Sequence, residues 1–270
     1  MNSGYKALKD LRDRVVLITG ASSGLGEQLA YSAARRGAIV VGCARRLDRL
    51  EKVAINCRIL SGRPSYSYQL DVTDPDRAAE VVEKVESEVG PIDVLINDAG
   101  FGLMENFLKF DLNVAEKMFK VNVMGMMYLT QLIGLKMAER RQGAIVNVAS
   151  MAGKMATPKS SVYSATKFAV LGFSNALRLE LKPLGISVLT VNPGPINTNF
   201  FNLADKSGKY LESLGNIVLN PETVAEKTVA AIGTSKREIN LPFIMEVGAK
   251  VYNLFPRLGD YCAATIFNKK

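Results

Sequence analysis

The sequence predicts an α/β fold in which most of the chain forms a single doubly wound parallel sheet and the helices that connect its strands. Short apolar runs of five or six residues alternate with longer segments of helical periodicity, as in sheets whose parallel strands are joined by helices. The runs are apolar throughout rather than at every second position, which indicates strands buried on both faces. The chain has 270 residues and no evident linker, so we expect a single domain over residues 1–270.

The predicted elements follow one another in order along the chain. Strands are expected at residues 14–19, 38–43, 66–70, 92–97, 144–148 and 186–191, and helices at residues 24–36, 47–56, 76–89, 114–140 and 160–181. The alternation lapses at residues 195–220, which are rich in Gly and Asn. A long loop inside a domain is commonly a lid or a disordered segment, and we interpret this one as a lid.

The C-terminal tail, residues 242–270, has an amphipathic pattern. Ile244, Val247, Val251 and Leu254 recur at three- and four-residue steps, and Pro256 interrupts the pattern. The tail could cover a substrate pocket, pack on a partner subunit or lie on a membrane surface. Its polar positions carry both signs of charge, so strong membrane binding is the least expected of the three.

Composition narrows the classes of function. The formal charge is +8, but Lys and Arg are scattered among acidic residues, which disfavours nucleic acid. The charge leaves open a phosphorylated small molecule, an acidic protein partner and a surface with no particular partner. The three cysteines show no metal-type spacing, which indicates no metal site and a reducing, cytoplasmic location. We expect neither a signal peptide nor a transmembrane helix, because no apolar run approaches about 18 residues.

The turn after the first predicted strand is rich in glycine. Glycine lets the backbone turn tightly and lets a pyrophosphate approach the amide groups at the start of the next helix. The spacing is G-x-x-x-G-x-G, which differs from the generic G-x-G-x-x-G fingerprint. Its position directly after a strand still favours dinucleotide binding over a plain connection. The predicted contacts are Gly20, Ser22, Ser23, Gly24, Leu25 and Gly26.

The end of the second predicted strand indicates which dinucleotide is bound. An acidic residue there would hold the ribose 2′-hydroxyl of NAD, whereas an arginine accommodates the 2′-phosphate of NADP. The strand is followed by Arg45 and Arg46, and the next carboxylate is Asp48. We therefore expect NADP, held by charge-assisted bonds from these arginines, with NAD as the alternative.

Further candidate cofactor contacts follow the third and fourth predicted strands. Ligands of such sheets bind beyond the carboxyl ends of the strands. Asp71 could accept a hydrogen bond from the adenine amino group, whereas Asn97 could equally tie neighbouring strands together. The full set is Asp71, Val72, Asn97, Asp98, Ala99 and Gly100.

A candidate proton-transfer pair, Tyr163 and Lys167, lies in the last long predicted helix. Residues four apart share one helix face. A phenol loses its proton near pH ~10, and an adjacent ammonium favours the phenolate. The pair could therefore move a proton near neutral pH in a chain that has no histidine. Tyr5 and Lys9 have the same spacing, so spacing alone is weak evidence for a catalytic pair. The assignment of Tyr163 and Lys167 therefore depends on the other motifs of the chain.

Taken together, the motifs resemble the short-chain dehydrogenase/reductase family. The resemblance covers about residues 14–198 and implies a single-domain, Rossmann-like oxidoreductase of the NADP-preferring subgroup. The motifs that carry it are the glycine-rich turn, Asp71 with Val72, residues 97–100, Asn122, Ser150, Tyr163 with Lys167, and residues 193–198.

The resemblance implies a role for each of four catalytic residues. Tyr163 is expected to be the general acid in ketone reduction and the general base in alcohol oxidation. Lys167 is expected to bind the nicotinamide ribose and lower the pKa of Tyr163, and Ser150 to polarise the substrate carbonyl. Asn122 is expected to position a water that links Lys167 to solvent. The residues expected to flank the nicotinamide are Pro193, Gly194, Ile196 and Thr198.

The sequence departs from the family pattern at two places. Asp98 stands where the family often has a second asparagine, and cofactor contacts there come largely from the backbone, so we expect binding to survive. NADP-preferring members often carry Lys or Arg within the glycine-rich turn, whereas this chain has Ser22 and Ser23. Arg45 and Arg46 are therefore expected to hold the 2′-phosphate.

The predicted function is NADPH-dependent reduction of a ketone or aldehyde, or the reverse oxidation of a secondary alcohol. Reduction of 3-oxoacyl groups on acyl carrier protein is the alternative, and a non-catalytic dinucleotide-binding protein is less favoured because all four catalytic residues are present. Apolar residues after the site motifs could line a pocket for a lipophilic substrate or pack in the core. They are Phe101, Leu103, Met104, Met151 and Met155. The resemblance also implies a homodimer or homotetramer.

Overall fold

Seven parallel strands form one sheet in the computed structural model, which describes residues 4–204 and 215–265. The sheet order is β3-β2-β1-β4-β5-β6-β7. The order reverses between β1 and β4, and in sheets of this kind ligands bind at the carboxyl ends of the strands near such a reversal. The strands are β1 (Val15–Thr19), β2 (Ile39–Ala44), β3 (Ser65–Gln69), β4 (Ile92–Asn97), β5 (Gly143–Val148), β6 (Ile186–Pro193) and β7 (Glu238–Leu241).

Helices cover both faces of the sheet. Helices α1, α2 and α8 pack on one face, and α3, α5 and α6 on the other. The α-helices among the described residues are α1 (Gly24–Ala34), α2 (Leu47–Ser61), α3 (Pro75–Glu88), α4 (Leu112–Phe119), α5 (Met126–Arg140), α6 (Ser161–Leu181), α7 (Phe200–Ala204), α8 (Pro221–Val229), α9 (Phe243–Leu254) and α10 (Pro256–Thr265).

Alternate residues of the central strands pack on opposite helical layers. In β1, Val16 and Ile18 join the core beneath α1, whereas Val15 and Leu17 join the core beneath α3 and α5. Successive side chains of a strand point to opposite faces, so a strand buried on both faces must be apolar at every position. The continuous apolar runs of the sequence therefore have this cause, and the predicted doubly wound fold is confirmed.

Three local features differ from the predicted elements. The helix predicted at residues 114–140 consists of α4 and α5 joined by a π-helical segment, Lys120–Gly125. Helix α8 and strand β7 were not predicted. The start of α8 has a recognisable signal, because Asn220 caps the helix through its side chain and Pro221 occupies the first turn.

The ends of the predicted lid, residues 195–220, lie side by side. Leu219 donates a backbone hydrogen bond of 2.8 Å to Pro195, and Asn197 donates one of 3.0 Å to Leu219. The segment contains α7, while residues 205–214 lie outside the described part of the chain. A lid function remains a prediction.

The C-terminal tail forms two helices, α9 and α10, which separate at Phe255. Met245, Ala249 and Tyr252 on α9 pack against Met151 and Met155. Residues 266–270 of the tail lie outside the described part of the chain. Among the described helices, none combines the length and apolar character needed to cross a bilayer.

Candidate active site

A cavity of about 450 Å³ lies at the carboxyl ends of the strands, where the strand order reverses. This volume falls within the ~300–1,000 Å³ typical of small-molecule sites. Most of the predicted site residues line it, whereas Gly26, Asn97 and Asn122 do not. The predicted residues in its wall are Gly20, Ser22, Ser23, Gly24, Leu25, Arg45, Arg46, Asp71, Val72, Asp98, Ala99, Gly100, Ser150, Tyr163, Lys167, Pro193, Gly194, Ile196 and Thr198.

The glycine-rich turn presents the start of α1 to the cavity. Gly20 and Gly24 have positive φ angles of 72° and 64°, which side chains rarely adopt. Ser23 precedes α1 without a side-chain cap, so the first amide groups of the helix remain available for an anionic ligand. Gly26 lies behind the turn, where a Cβ atom would stand 2.5 Å from the Gly20 carbonyl oxygen. Gly26 is therefore closely packed, and its predicted contact with the cofactor remains a prediction.

The two arginines after β2 have different surroundings. Both are exposed at the cavity wall. Arg46 donates through Nη2 to Oγ of Ser23 at 2.8 Å and to Oγ of Ser22 at 3.3 Å, so it reaches across to the glycine-rich turn. The Arg45 side chain is exposed at the cavity wall, and the Arg45 backbone carbonyl accepts a hydrogen bond from the Gln69 side chain. A guanidinium and two hydroxyls thus lie together at the cavity wall.

The side chain of Asp71 forms a turn at the end of β3. Its Oδ1 accepts from the backbone nitrogen of Thr73 at 3.0 Å and from Oγ1 of the same residue at 2.8 Å. This fixes the carboxylate at the cavity wall, where its contact with an adenine amino group remains a prediction.

Asn97 is buried and ties structural elements together. Its Nδ2 donates to Oδ1 of Asn147 at 2.9 Å and to Oγ1 of Thr130 at 3.0 Å, and Asn147 donates in turn to Ser174 at 2.9 Å. These bonds join β4 and β5 to helices α5 and α6. The structure therefore gives the Asn97 side chain a strand-tying role, and its predicted contact with the cofactor remains a prediction.

Asp98 and Lys167 form an electrostatically coupled pair. The carboxyl group of Asp98 accepts from the backbone nitrogen of Gly26, and burial raises its pKa to about 7 although Lys167 opposes the rise. Burial lowers the pKa of Lys167 to about 8, and the Asp98 charge opposes this fall. Burial thus moves the pKa values of both groups towards neutral pH. The sequence showed Asp98 as a departure from the family pattern but did not indicate this coupling.

Tyr163 and Lys167 lie on one face of α6, as their spacing predicts. Lys167 is buried, donates to the Val148 carbonyl at 3.0 Å, and lies 5.8 Å from the centre of the Tyr163 ring. The Tyr163 ring packs against Phe200 with a centroid distance of 5.7 Å. The ammonium is therefore held by β5, and the phenol by the segment that follows β6.

Ser150 is held between the ends of β5 and β6. Its Oγ donates to the Pro193 carbonyl at 3.3 Å and accepts from the Ala152 nitrogen at 3.1 Å. The second bond caps the short 3-10 turn Met151–Gly153. Two independent bonds thus orient the hydroxyl at the cavity wall.

Asn122 lies in the π-helical segment and braces the site from behind. It exchanges two hydrogen bonds with the backbone of Phe101, of 2.8 and 2.9 Å, and donates to Thr166 at 3.1 Å. Both hydrogens of its amide are used in this way. The predicted role of Asn122 in positioning a water remains a prediction.

Apolar side chains line the rest of the cavity. Phe101, Met104, Met151 and Met155 lie in its wall as the pocket alternative predicts, whereas Leu103 packs beside it in a neighbouring cluster. Among the wall residues that sequence reasoning missed are three on α7 and one on α9. The amphipathic period of the tail was the only signal for the last of these. They are Phe200, Phe201, Leu203 and Met245.

Comparisons with known proteins find similar sequences and structures over most of the chain. The family model for short chain dehydrogenases matches residues 14–207. Human dehydrogenase/reductase SDR family member 7 is 36% identical over 211 residues, and the match covers 77% of this chain but only 62% of that protein, less than two thirds of its length. Ketoacyl reductase HetN of Nostoc sp. is 33% identical over 230 residues, covering 85% of this chain and 78% of that protein.

A solved structure shares the whole architecture. The short-chain dehydrogenase from Sphingobium yanoikuyae in complex with NADPH superposes with a TM-score of 0.78 at 29% identity. The match covers 91% of this chain and 94% of that one.

Proposed function

The chain belongs to the short-chain dehydrogenase/reductase family, and from this we propose that it reduces a ketone or aldehyde with NADPH, or oxidises the corresponding alcohol. The observation that carries the proposal is that Ser150, Tyr163 and Lys167 line the same cavity as the glycine-rich turn. A binding protein without catalysis would have no need for a proton donor, a buried ammonium and an oriented hydroxyl in one wall.

The cavity suits an NADP-type dinucleotide. The positive φ angles at Gly20 and Gly24 allow a close approach to the backbone, and the uncapped start of α1 offers amide donors for a pyrophosphate. Arg46 with the two serine hydroxyls would favour a 2′-phosphate, and Arg45 adds a second cation at the same rim. The structural neighbour named above carries NADPH, and other similar structures carry NADP or NAD.

The chain's own residues would supply the proton and orient the carbonyl. The bound cofactor supplies the hydride, so reduction needs one proton for the carbonyl oxygen. The Tyr163 hydroxyl would donate it. Ser150, whose single hydroxyl hydrogen is donated to the Pro193 carbonyl in the structure, would turn to donate it to the same substrate oxygen. Lys167 would stabilise the phenolate left on Tyr163, because its ammonium is buried close to the ring. In alcohol oxidation the proton would move in the opposite direction.

The substrate end of the cavity favours a lipophilic carbonyl compound. Methionine and phenylalanine side chains from four segments converge there, and such side chains adapt to apolar substrates of varied shape. Reduction of a 3-oxoacyl group on acyl carrier protein remains the second candidate. It is supported by the net charge of +8, which would attract an acidic partner, and by the similarity to a ketoacyl reductase.

Oxidation of NADPH with a panel of substrates tests the proposal. The panel should include small ketones, bulky lipophilic ketones and a 3-oxoacyl group on acyl carrier protein, compared by kcat/KM. We expect Tyr163→Phe to lower kcat by about 10²–10⁴-fold, the usual contribution of a general acid, with NADPH affinity retained. Tyr5→Phe is the matched control, because Tyr5 shares the spacing to a lysine but lies outside the cavity. Full activity of Tyr163→Phe would refute the assignment.

We also propose that the protein is a homodimer or homotetramer that pairs through α5 and α6. Apolar side chains are exposed on this side of the molecule, and isolated exposed residues would be ordinary whereas a group on adjacent helices indicates a contact surface. They are Met124, Leu135, Phe168 and Leu179. The cytoplasmic location is likewise a proposal, supported by Cys43, Cys57 and Cys262, all of which are free thiols.

A further inference from the structure

An ion pair joins the turn that follows Ser150 to β7, an edge strand of the sheet. The Lys154 ammonium, at the end of this turn, donates to the carboxylate of Glu238, the first residue of β7. The two side chains are only 22% and 18% exposed, and partly buried pairs are screened by solvent much less than exposed ones. Neither residue lines the cavity, so any effect of the pair on a bound substrate has to pass through other residues.

Glu238 keeps its negative charge in this half-buried place. Burial alone would raise the pKa of its carboxyl group, but the hydrogen bond and charge of Lys154, together with the charge of Arg237, hold that pKa below its usual value. Arg237 lies 3.3 Å from the carboxylate oxygen Oε1. The carboxylate therefore retains a cationic partner if Lys154 is replaced, so Lys154 can be changed without leaving a buried charge unpaired.

The turn between Ser150 and Lys154 is bonded internally along its length. The Ser150 hydroxyl accepts from the Ala152 nitrogen at 3.1 Å, and the Ser150 carbonyl accepts from the Gly153 nitrogen at 2.9 Å. The Lys154 nitrogen donates to the Met151 carbonyl, also at 2.9 Å. A displacement at Lys154 is therefore passed along the turn to Ser150.

The middle of the turn packs against α6. A Cβ atom on Gly153 would stand 2.7 Å from the Lys167 carbonyl oxygen, so the turn lies directly on the helix that carries Tyr163 and Lys167. Lys154 ties its far end to β7. The turn is thus held between these two elements, which sets the place of Ser150 relative to Tyr163.

A second route leads from Glu238 back to Ser150. Asn192 is fully buried on β6 and donates to the Glu238 carboxylate at 3.4 Å. The next residue, Pro193, accepts the hydrogen bond of the Ser150 hydroxyl. A hydroxyl has one hydrogen to donate, so the Pro193 bond is given up when that hydrogen turns to a substrate carbonyl. The route through the turn and Lys154 does not use this hydrogen and persists with substrate bound.

We propose that Lys154 is a positioning residue for the reaction, because its ion pair with Glu238 holds the Ser150 oxygen where the substrate carbonyl has to bind. The proposal rests on the reductase function proposed above. A donor stabilises the developing charge on a carbonyl oxygen only within hydrogen-bond distance of it. Misplacement of a catalytic group by about 1 Å can cost ~10²-fold in rate.

Kinetics of Lys154→Met in the full-length protein test the role of the ion pair, because the variant removes the ammonium and keeps an unbranched side chain. We expect kcat for the best ketone substrate to fall at least about tenfold, with an unchanged Kd for NADPH, measured by fluorescence. Lys154→Arg keeps the charge and should restore most of the activity. The matched control is Lys136→Met, because Lys136 is 26% exposed, pairs with Glu83 at 2.7 Å and does not line the cavity. Wild-type kcat in Lys154→Met, an equal loss in the control, or no rescue by arginine would overturn the proposal.

A Ser150→Ala background shows whether Lys154 acts through the serine. Loss of the hydroxyl should lower kcat by about 10²–10³-fold, as for other donors to a reacting carbonyl oxygen. Adding Lys154→Met should then cost less than about twofold more, since no hydroxyl remains to be misplaced. The same tenfold loss in both backgrounds would overturn the proposal.

Crystal structures of the wild type and Lys154→Met give a measurement that does not depend on activity. We expect the Ser150 oxygen to move by about 1 Å in the variant. If the wild type reduces no carbonyl compound but Ser150 moves, the reductase function is wrong and the role of Lys154 in placing Ser150 is retained. An unmoved Ser150 would overturn that role whatever the activity.

Discussion

Replacing Asp98 by Asn would test the electrostatic balance at the candidate active site. Asn has nearly the same shape, and its carbonyl oxygen can still accept the bond that the Asp98 carboxyl group takes from the Gly26 nitrogen. What it removes is the negative charge that opposes the fall in the pKa of Lys167. The substitution therefore isolates the charge of Asp98 from its packing.

The expected effect is a shift of the basic limb of the activity profile to lower pH. Lys167 has a pKa of about 8 with Asp98 in place. Loss of a neighbouring opposite charge moves a pKa by ~1–3 units, and the lower end of that range places Lys167 near ~7 in the variant. If turnover needs the ammonium form, activity at pH 8 falls about fivefold, while activity at pH 6 hardly changes.

The assay is kcat/KM for the best ketone substrate between pH 5.5 and 9, with wild type and variant measured side by side. Asp93→Asn is the control, because Asp93 is also a carboxyl group whose pKa is raised by burial, but it stands at the start of β4 and does not line the cavity. Its profile should keep the wild-type shape. A basic limb for Asp98→Asn that is unmoved, or moved to higher pH, would refute the coupling.

The same substitution should change stability in a pH-dependent way. The pKa of Asp98 rises from 3.8 to about 7 on folding, so above pH 4 the unfolded state holds the ionised form more readily and the carboxylate destabilises the folded protein. The cost grows up to about pH 7 and then stays constant. We expect the Tm of Asp98→Asn to exceed that of the wild type at pH 7.5, and the difference to vanish towards pH 4. A wild type that is the more stable protein at pH 7.5 would contradict this sign.

Three further predictions concern Lys167, the arginines and the subunit contact. Lys167→Met should lower both kcat and NADPH affinity, because the same ammonium is predicted to stabilise the Tyr163 phenolate and to bind the cofactor. Steady-state kinetics and fluorescence titration with NADPH measure the two effects, and an unchanged affinity would contradict the prediction. Arg46→Asp should weaken NADPH by more than tenfold, or about 1.4 kcal/mol, with a smaller effect on NADH. Arg45→Asp should do the same less strongly, and a wild type that prefers NADH would refute both. Light scattering should show an oligomer at micromolar concentration, and Phe168→Glu should dissociate it through a buried charge; a monomeric wild type would rule out the contact.

Strands β1 to β6 could be predicted because burial on both faces leaves a continuous apolar run in the sequence. Strand β7 gave no such signal, since it is a short edge strand that contains Glu238 and Asn240 and is largely half-buried. The π-helical segment around Asn122 was equally hidden, because one extra residue per turn barely disturbs the helical period of a segment that is apolar on several sides. The apolar pattern of a sequence indicates which residues are buried, and neither β7 nor the π-helical segment alters that pattern enough to be recognised.

The sequence predicted which residues lie at the candidate site better than it predicted what each side chain does there. Motif order placed Ser150, Tyr163 and Lys167 correctly at one cavity, since the ends of parallel strands meet at one edge of the sheet. It could not tell which way a side chain points, so it left open whether Asn97 contacts the cofactor or bonds to the neighbouring strand, as its side chain does. Met245 was not identified because its contact with the cavity depends on how the tail folds back, which no local pattern contains.

The hydrogen bond between the side chains of Asn97 and Asn147 fixes the register of the two strands that carry candidate catalytic residues. The two residues are register partners on β4 and β5, Asp98 directly follows the first, and Ser150 stands three positions beyond the second. A slip of one residue would turn one amide to the opposite face of the sheet and break the buried hydrogen bond between the two side chains. It would also displace Ser150 by about 3.3 Å relative to Asp98. The same change of register would therefore destabilise the sheet and misplace the candidate catalytic residues. Chains that fold with the native register of β4 and β5 thereby also place Asp98 and Ser150 correctly relative to each other.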